Sequence, residues 1–296
     1  MPAPLVVSLP DYTEPAQRLA QKLGYDYQVF DIHWFPDNEC RVTVPTRATA
    51  HIIICQSLDH PNDKLIALLL AIQTLRSSGV KRISLVAPYL CYMRQDKAFH
   101  TGEAISQQII GRFLADLVDD VITVDAHLHR VETLQQAIPA KNAINLSAAA
   151  VLGEFLQQQY MQPLLLGPDS ESQQWVQQIA AEGDFEWAVA NKQRHGDVDV
   201  SITLPATDFR DRTVVLVDDV ISTGHTLAQT ATKIQQAGAK DVCCLVTHAL
   251  FAEGALELLQ QAGIKNIWSS DSINHQSNVI HLAELFASQL QVLFKD

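Results

Sequence analysis

Short runs of apolar, often β-branched residues without polar alternation recur along the chain, and segments of helical spacing separate them. His51 to Cys55, Arg82 to Ala87, Val121 to Val124, Pro163 to Leu166, Thr213 to Val217 and Asp241 to Thr247 read as strands buried on both faces. A shorter strand is expected near Glu186 to Ala190. Helical patterns cover Pro61 to a cap at Gly79, Glu103 to Leu117, Ala148 to Gln158, Gln173 to Ala181, Leu227 to Ala237 and Leu282 to Leu290. This alternation predicts an α/β protein with mainly parallel sheets. The pattern runs twice without a low-complexity linker, and 296 residues exceed the usual single core. Two domains are therefore expected, 1–143 and 144–281, with a C-terminal helix in 282–296 docking back on the first.

Chemistry gathers at Thr213-Val-Val-Leu-Val-Asp-Asp-Val-Ile-Ser-Thr-Gly-His-Thr-Leu227. Asp218 and Asp219 stand where the predicted strand ends, and open α/β sheets bind ligands at the carboxyl ends of their strands. Ser222, Thr223, Gly224, His225 and Thr226 then lead into a helix, a turn whose backbone N–H groups and helix N-terminus suit an anion. An acidic pair repels a phosphate unless it faces something else, such as neutral sugar hydroxyls or a bridging Mg²⁺. The string reads as a sugar-phosphate site, Ser222 to Thr226 for the phosphate and the aspartates for the ring hydroxyls. Taken singly, each residue is equally well explained as a strand end, a turn or an N-cap.

The net charge of −12 argues against a general nucleic-acid binder. An anionic substrate then needs a locally basic cleft, so clusters of Lys and Arg stand out. No basic segment precedes the apolar run in residues 1–10, and the longest apolar run, Leu65 to Ile72, is too short to span a membrane. Neither a secretory signal nor a membrane partner is expected. Five cysteines without CxxC spacing suggest reduced core thiols in the cytoplasm.

Four more clusters carry candidate chemistry. Phe35-Pro36-Asp37-Asn38-Glu39 sets an aromatic beside two carboxylates in a turn, which a solvated surface also explains. Arg94-Gln95-Asp96-Lys97 follows a strand and offers cations to a polyphosphate, or else is a basic surface loop. Asp125-Ala126-His127-Leu128-His129 and Gly167-Pro168-Asp169 end two further strands, and hard carboxylate oxygens suit Mg²⁺. Lys192-Gln193-Arg194-His195-Gly196-Asp197 is either a mobile segment that closes over phosphates or a solvated hairpin.

In this order, from about Phe35 to Phe251, the clusters resemble the ribose-phosphate diphosphokinase (phosphoribosyl diphosphate synthase) family. Ser222, the Gln95-Asp96-Lys97 string and Gly102-Glu103-Ala104-Ile105-Ser106 bring the resemblance nearest to an archaeal-like subset. It implies two tandem phosphoribosyltransferase-like domains, ATP on the first and ribose 5-phosphate on the second. It further implies ATP contacts at Phe35, Asp37, Glu39, Arg94, Gln95 and Asp96, Mg²⁺ at His127 and Asp169, Lys192 and Arg194 on a flexible catalytic loop, and a catalytic part for His127 as well. Ribose 5-phosphate would fall to Asp218, Asp219, Ser222, Thr223, Gly224, His225 and Thr226. Because the family's Phe-x-Asp-x-Glu loop serves a neighbouring subunit, a homodimer or higher homo-oligomer is implied. A salvage phosphoribosyltransferase shares the Asp218 loop but needs neither the first cluster nor the second, and a non-catalytic regulatory relative needs no catalytic loop. Departures are Asn38, where the family commonly has Gly, His225 in place of a small residue, and Glu171 where the family has a small, glycine-bearing loop.

Overall fold

The computed structural model describes residues 3–46, 49–159, 162–195 and 199–295. They divide into two compact units, one ending at Leu146 and resuming at His281, the other running Ser147–Ile280. In chain order the first unit contains β1 (Leu5–Ser8), α1 (Thr13–Leu23), β2 (Asp26–Val29), β3 (Asp31–Trp34), β4 (Cys40–Thr43), β5 (His51–Cys55), α2 (Pro61–Ser77), β6 (Arg82–Val86), α3 (Ser106–Leu117), β7 (Asp120–Val124), α4 (Leu134–Ala137) and β8 (Asn142–Leu146). The second contains α5 (Ala149–Gln158), β9 (Leu164–Gly167), α6 (Gln173–Gly183), β10 (Trp187–Val189), β11 (Asn191–His195), β12 (Asp199–Thr203), β13 (Thr213–Ile221), α7 (His225–Gln236), β14 (Asp241–Ala249), α8 (Ala255–Gln261), β15 (Asn266–Ser270) and β16 (Asn278–Ile280). The last helix, α9 (Ala283–Leu293), belongs to the first unit.

Each unit is built on a parallel six-stranded sheet, in the order β2-β1-β5-β6-β7-β8 in the first and β10-β9-β13-β14-β15-β16 in the second. The central strands are apolar on both faces because helices cover both: Ile52, Ile54, Ile83 and Leu85 are buried in one core, and Leu164, Leu166, Val214 and Leu216 in the other. Burying each such side chain contributes about 1.5–3 kcal/mol. Two antiparallel hairpins, β3–β4 and β11–β12, stand apart from the sheets. No helix among the described residues is long and apolar enough to cross a membrane.

Helix α9 packs on α1, burying Phe286, Ala287 and Leu290, with Lys22 Nζ 2.8 Å from Glu284 Oε2. Just past it, Phe294 sits edge-on to His51, centroids 4.6 Å apart, and under the Arg82 guanidinium. Arg82 in turn donates two hydrogen bonds to the fully buried Asp120, which also accepts from Ser84 and Asn142. Burial pushes the Asp120 carboxyl up, but these donors outweigh it and the net shift is downward.

His51 Nε2 lies 3.0 Å from the Ser84 hydroxyl in this network. Burial, with repulsion from Arg82, lowers its pKa to about 4. A histidine lowered in the folded state contributes stability in full above its ordinary value of 6.5, and that contribution is lost as pH falls toward about 4. Denaturation midpoints measured between pH 7 and pH 4 should therefore decline less steeply in His51→Gln than in the parent. An identical slope would assign the acid sensitivity to another group.

Candidate functional site

In the second unit the strand order turns between β9 and β13: β9 has the edge strand β10 on one side and β13 on the other. Such a switch point opens a crevice at the carboxyl ends of the strands. Asp169 lies just past β9, and Asp218 and Asp219 lie on β13 beside it. Strand β13 does not stop at Val217 as its apolar run suggests. Val220 and Ile221 go on pairing with His248 and Ala249 of β14, so both aspartates are strand residues.

Asp218 is half-buried and Asp219 is buried, and the Asp219 N–H donates to Asp218 Oδ1 at 3.0 Å. Burial raises the Asp218 pKa well above the usual carboxylate range, and the charges of Asp219 and Asp169 raise it further. One cation already answers this crowd: Lys192 Nζ lies 3.2 Å from Asp169 Oδ2, both side chains largely buried. The other Asp169 oxygen accepts the backbone N–H groups of Glu171 and Ser172. Gly167 permits that tight turn, since a Cβ there would stand 2.4 Å from the Ser172 hydroxyl. Glu171 itself is exposed.

After Ile221 the chain turns through Ser222, Thr223 and Gly224 into α7, which begins at His225, two residues before the expected Leu227. Gly224 is required at φ 74°, and a Cβ on it would press Leu259 at 3.3 Å. No side chain caps α7. Its first-turn N–H groups, which lack partners within the helix, lie among the exposed Thr223 and His225 and the half-buried Ser222 and Thr226. The carboxylates thus sit on the strand and the helix N-terminus just past it. The segment after Asn191 is an antiparallel hairpin, with Lys192 opposite Ile202 and Arg194 opposite Val200. Arg194 is described by its backbone alone, and Gly196 and Asp197 lie outside the described residues.

In the first unit the second cluster follows β6 and His127 follows β7, its neighbour. Arg94 is exposed, and Gln95 accepts a hydrogen bond from the Ser106 hydroxyl at 2.8 Å. The expected helix from Glu103 begins only at Ser106, because the Glu103 carboxylate turns back to accept the Phe99 N–H. Asp96, with its side chain only 4% exposed, pairs with Arg130. His127 lies edge-on to His129, centroids 4.6 Å apart. Phe35 to Glu39 form the tip of the β3–β4 hairpin, closed by Phe35 N–H to Glu39 O, with Asn38 at φ 66° and Phe35 41% exposed. So Asp169, Lys192, Asp218 and Asp219 meet on one unit, while His127 and the Arg94 cluster belong to the other. Arg130 and His275 belong to none of the sequence clusters, and Phe251 enters only as the end of the family-like stretch. Arg130 alone carried a local signal, a cation three residues after His127.

Asp169, Asp218 and Asp219 offer hard carboxylate oxygens, the kind of donor that suits Mg²⁺, and burial together with the charges of the other two raises the Asp218 carboxyl.

Family comparison agrees with this architecture. Residues 5–117 match the model of the N-terminal domain of ribose phosphate pyrophosphokinase, and residues 135–285 match the phosphoribosyl transferase domain. The chain is 32% identical over 285 residues to ribose-phosphate pyrophosphokinase 2 of Archaeoglobus fulgidus, covering 96% of this chain and 99% of that protein. It is 29% identical over 293 residues to ribose-phosphate pyrophosphokinase of Methanopyrus kandleri, covering 98% and 99%. The crystal structure of phosphoribosylpyrophosphate synthetase from Mycobacterium smegmatis shares the fold, with TM-score 0.83, 23% identity and 99% of each chain covered. The protein is thus an enzyme with two tandem phosphoribosyltransferase-like domains, each a parallel sheet flanked by helices. It belongs to the ribose-phosphate pyrophosphokinase family, a family of diphosphotransferases.

Because its pKa is raised on folding, Asp218 favours the folded state only below its ordinary range, and this is lost as pH rises through the folded-state value. Asp218→Asn should therefore melt a few degrees above the parent near pH 8 without divalent cations, the gap closing as pH falls toward 4. Added Mg²⁺ should raise the melting temperature of the parent more than that of the variant. A variant that melts below the parent at pH 8 would refute the carboxylate repulsion.

Proposed function

We propose that the protein transfers the diphosphoryl group of ATP to the anomeric hydroxyl of ribose 5-phosphate, giving 5-phosphoribosyl 1-diphosphate and AMP for nucleotide biosynthesis. The observation that carries this is the adjacency, on one unit, of an acidic strand and an uncapped helix N-terminus. Ser222, Thr223, Gly224, His225 and Thr226 take the 5-phosphate on backbone and hydroxyl donors, while Asp218 and Asp219 accept hydrogen bonds from the ribose hydroxyls. ATP lies against Arg94, Gln95 and Asp96 of the first domain, 1–143 with helix 282–296. The second domain, 144–281, carries the sugar phosphate. Phe35, Asp37 and Glu39 at the exposed hairpin tip reach the nucleotide of a neighbouring copy, so the working assembly is a homodimer or a higher homo-oligomer. Five free cysteines are in keeping with a cytoplasmic location.

The chemistry is an in-line displacement in which the anomeric oxygen attacks the β-phosphorus and AMP leaves. Little covalent work falls to the protein, and catalysis is positioning plus neutralisation of charge on the moving group. Mg²⁺ is assigned to His127 and Asp169, with a second ion near the ribose and Asp218 or Asp219; when bound it would offset phosphate charge. Lys192, held on Asp169, is released toward the diphosphoryl group as the site fills, and Arg194 on the same hairpin adds a second positive charge.

A ³¹P NMR time course with ATP, Mg²⁺ and ribose 5-phosphate should show AMP and the 1-diphosphate rising together. If the 1-diphosphate never forms, the assignment fails. Lys192→Ala and Arg194→Ala should each lower kcat by about 10³-fold or more while sparing ribose 5-phosphate binding, as for mobile cations in other phosphoryl transfers. Normal turnover in either would remove the β11–β12 hairpin from the mechanism.

A further inference from the structure

Phe251 lies just beyond β14 with φ +23°, a left-handed backbone that a bulky side chain adopts only under constraint. Its ring lies flat on the imidazole of His275, centroids 4.2 Å apart and planes 10° from parallel. His275, between β15 and β16, is fixed in turn. Its Nδ1 accepts the Ser277 N–H at 3.2 Å and lies 2.7 Å from the Ser277 hydroxyl, and its own N–H donates to Asn278 Oδ1 at 2.8 Å. Since Nδ1 accepts, the neutral ring carries its proton on Nε2. The Ser277 hydroxyl, 2.7 Å from that of the buried Ser269, ties the loop to the sheet.

The backbone behind this stack is the floor of the candidate phosphate loop. Phe251 N–H donates to Ile221 O and Ala252 N–H to Ser222 O, both at 2.9 Å. Ile221 closes β13 and Ser222 opens the loop, so the loop's entry is tied to the strained segment that carries the stacked ring. Removing either ring frees Phe251 to relax out of the left-handed region, and both main-chain hydrogen bonds then move with it.

We propose that Phe251 and His275 are a positioning pair: their stacking holds the Ser222 to Thr226 loop in the geometry that receives the 5-phosphate, without either ring touching the reacting atoms. This rests on the assignment of that loop to ribose 5-phosphate. A ring pair of this kind carries about three- to tenfold in affinity once the strain it restrains is released.

The test is calorimetric titration of ribose 5-phosphate into the full-length protein, together with separate KM values for both substrates. His275→Ala and Phe251→Leu should bind ribose 5-phosphate about three- to tenfold more weakly, with the KM for ATP unchanged. His275→Phe, which restores a ring without the imidazole nitrogens, should return binding to within about twofold of the parent. A stack that served only stability would lower the melting temperature and move both KM values or neither. If the parent binds ribose 5-phosphate and both disrupted variants bind it equally well, the pairing is refuted and the substrate assignment stands. If the parent shows no binding, the substrate assignment falls and takes this inference with it. Should His275→Ala fail to fold, Phe251→Leu and His275→Phe decide the matter, and equal affinities in those two overturn it.

Discussion

Like charges held together in a poorly solvated place set the terms for the second unit. Adjacent parallel strands force Asp169 toward Asp218 and Asp219, and the buried strand beneath denies them the water that would screen their repulsion. Lys192 on Asp169 is the local answer. On the proposed function a divalent cation and neutral hydroxyls are the wider one, ligands that would make good the deficit of positive charge. Stability is given up here for function, as is common where charged groups are gathered at a binding site.

On the proposed function the same unit would hold a phosphate within a few residues of those carboxylates, dividing the work along the chain. The acids lie on the strand, while the N–H groups of the first turn of α7 lie past the left-handed turn at Gly224, where the proposed function seats the phosphate. A residue with a Cβ at that turn meets both backbone strain and Leu259, so glycine, strand end and helix start form one device. The Asp169 turn repeats the theme with Gly167 and Ser172.

Much of this was legible in the residues. The central strands announce themselves because burial on both faces leaves an unbroken apolar run, as in Val214 to Val217. The Asp218 to Thr226 string carries its chemistry in local order, and local order is what a sequence displays. Elements with weaker burial left no such mark: β8, Asn-Ala-Ile-Asn-Leu at a sheet edge, is only partly buried, and β11 is polar throughout. The end of β13 was set too early because two aspartates look like a stop, whereas cross-strand pairing to β14 carries the strand past them. His275 had no signal at all. It sits in a polar stretch, and the fold, not its neighbours in sequence, lays it on Phe251.

The first unit is written in two pieces, with all of Ser147–Ile280 between them. On a ribosome, α1 emerges early, yet the helix that covers its outer side, α9, comes last. The second unit is contiguous and can close on itself while the first still lacks its cover, so the half that begins the chain is the half that finishes later. Until then Leu19 and its apolar neighbours on α1 are open to a chaperone or to a stray copy of α9 from another nascent chain.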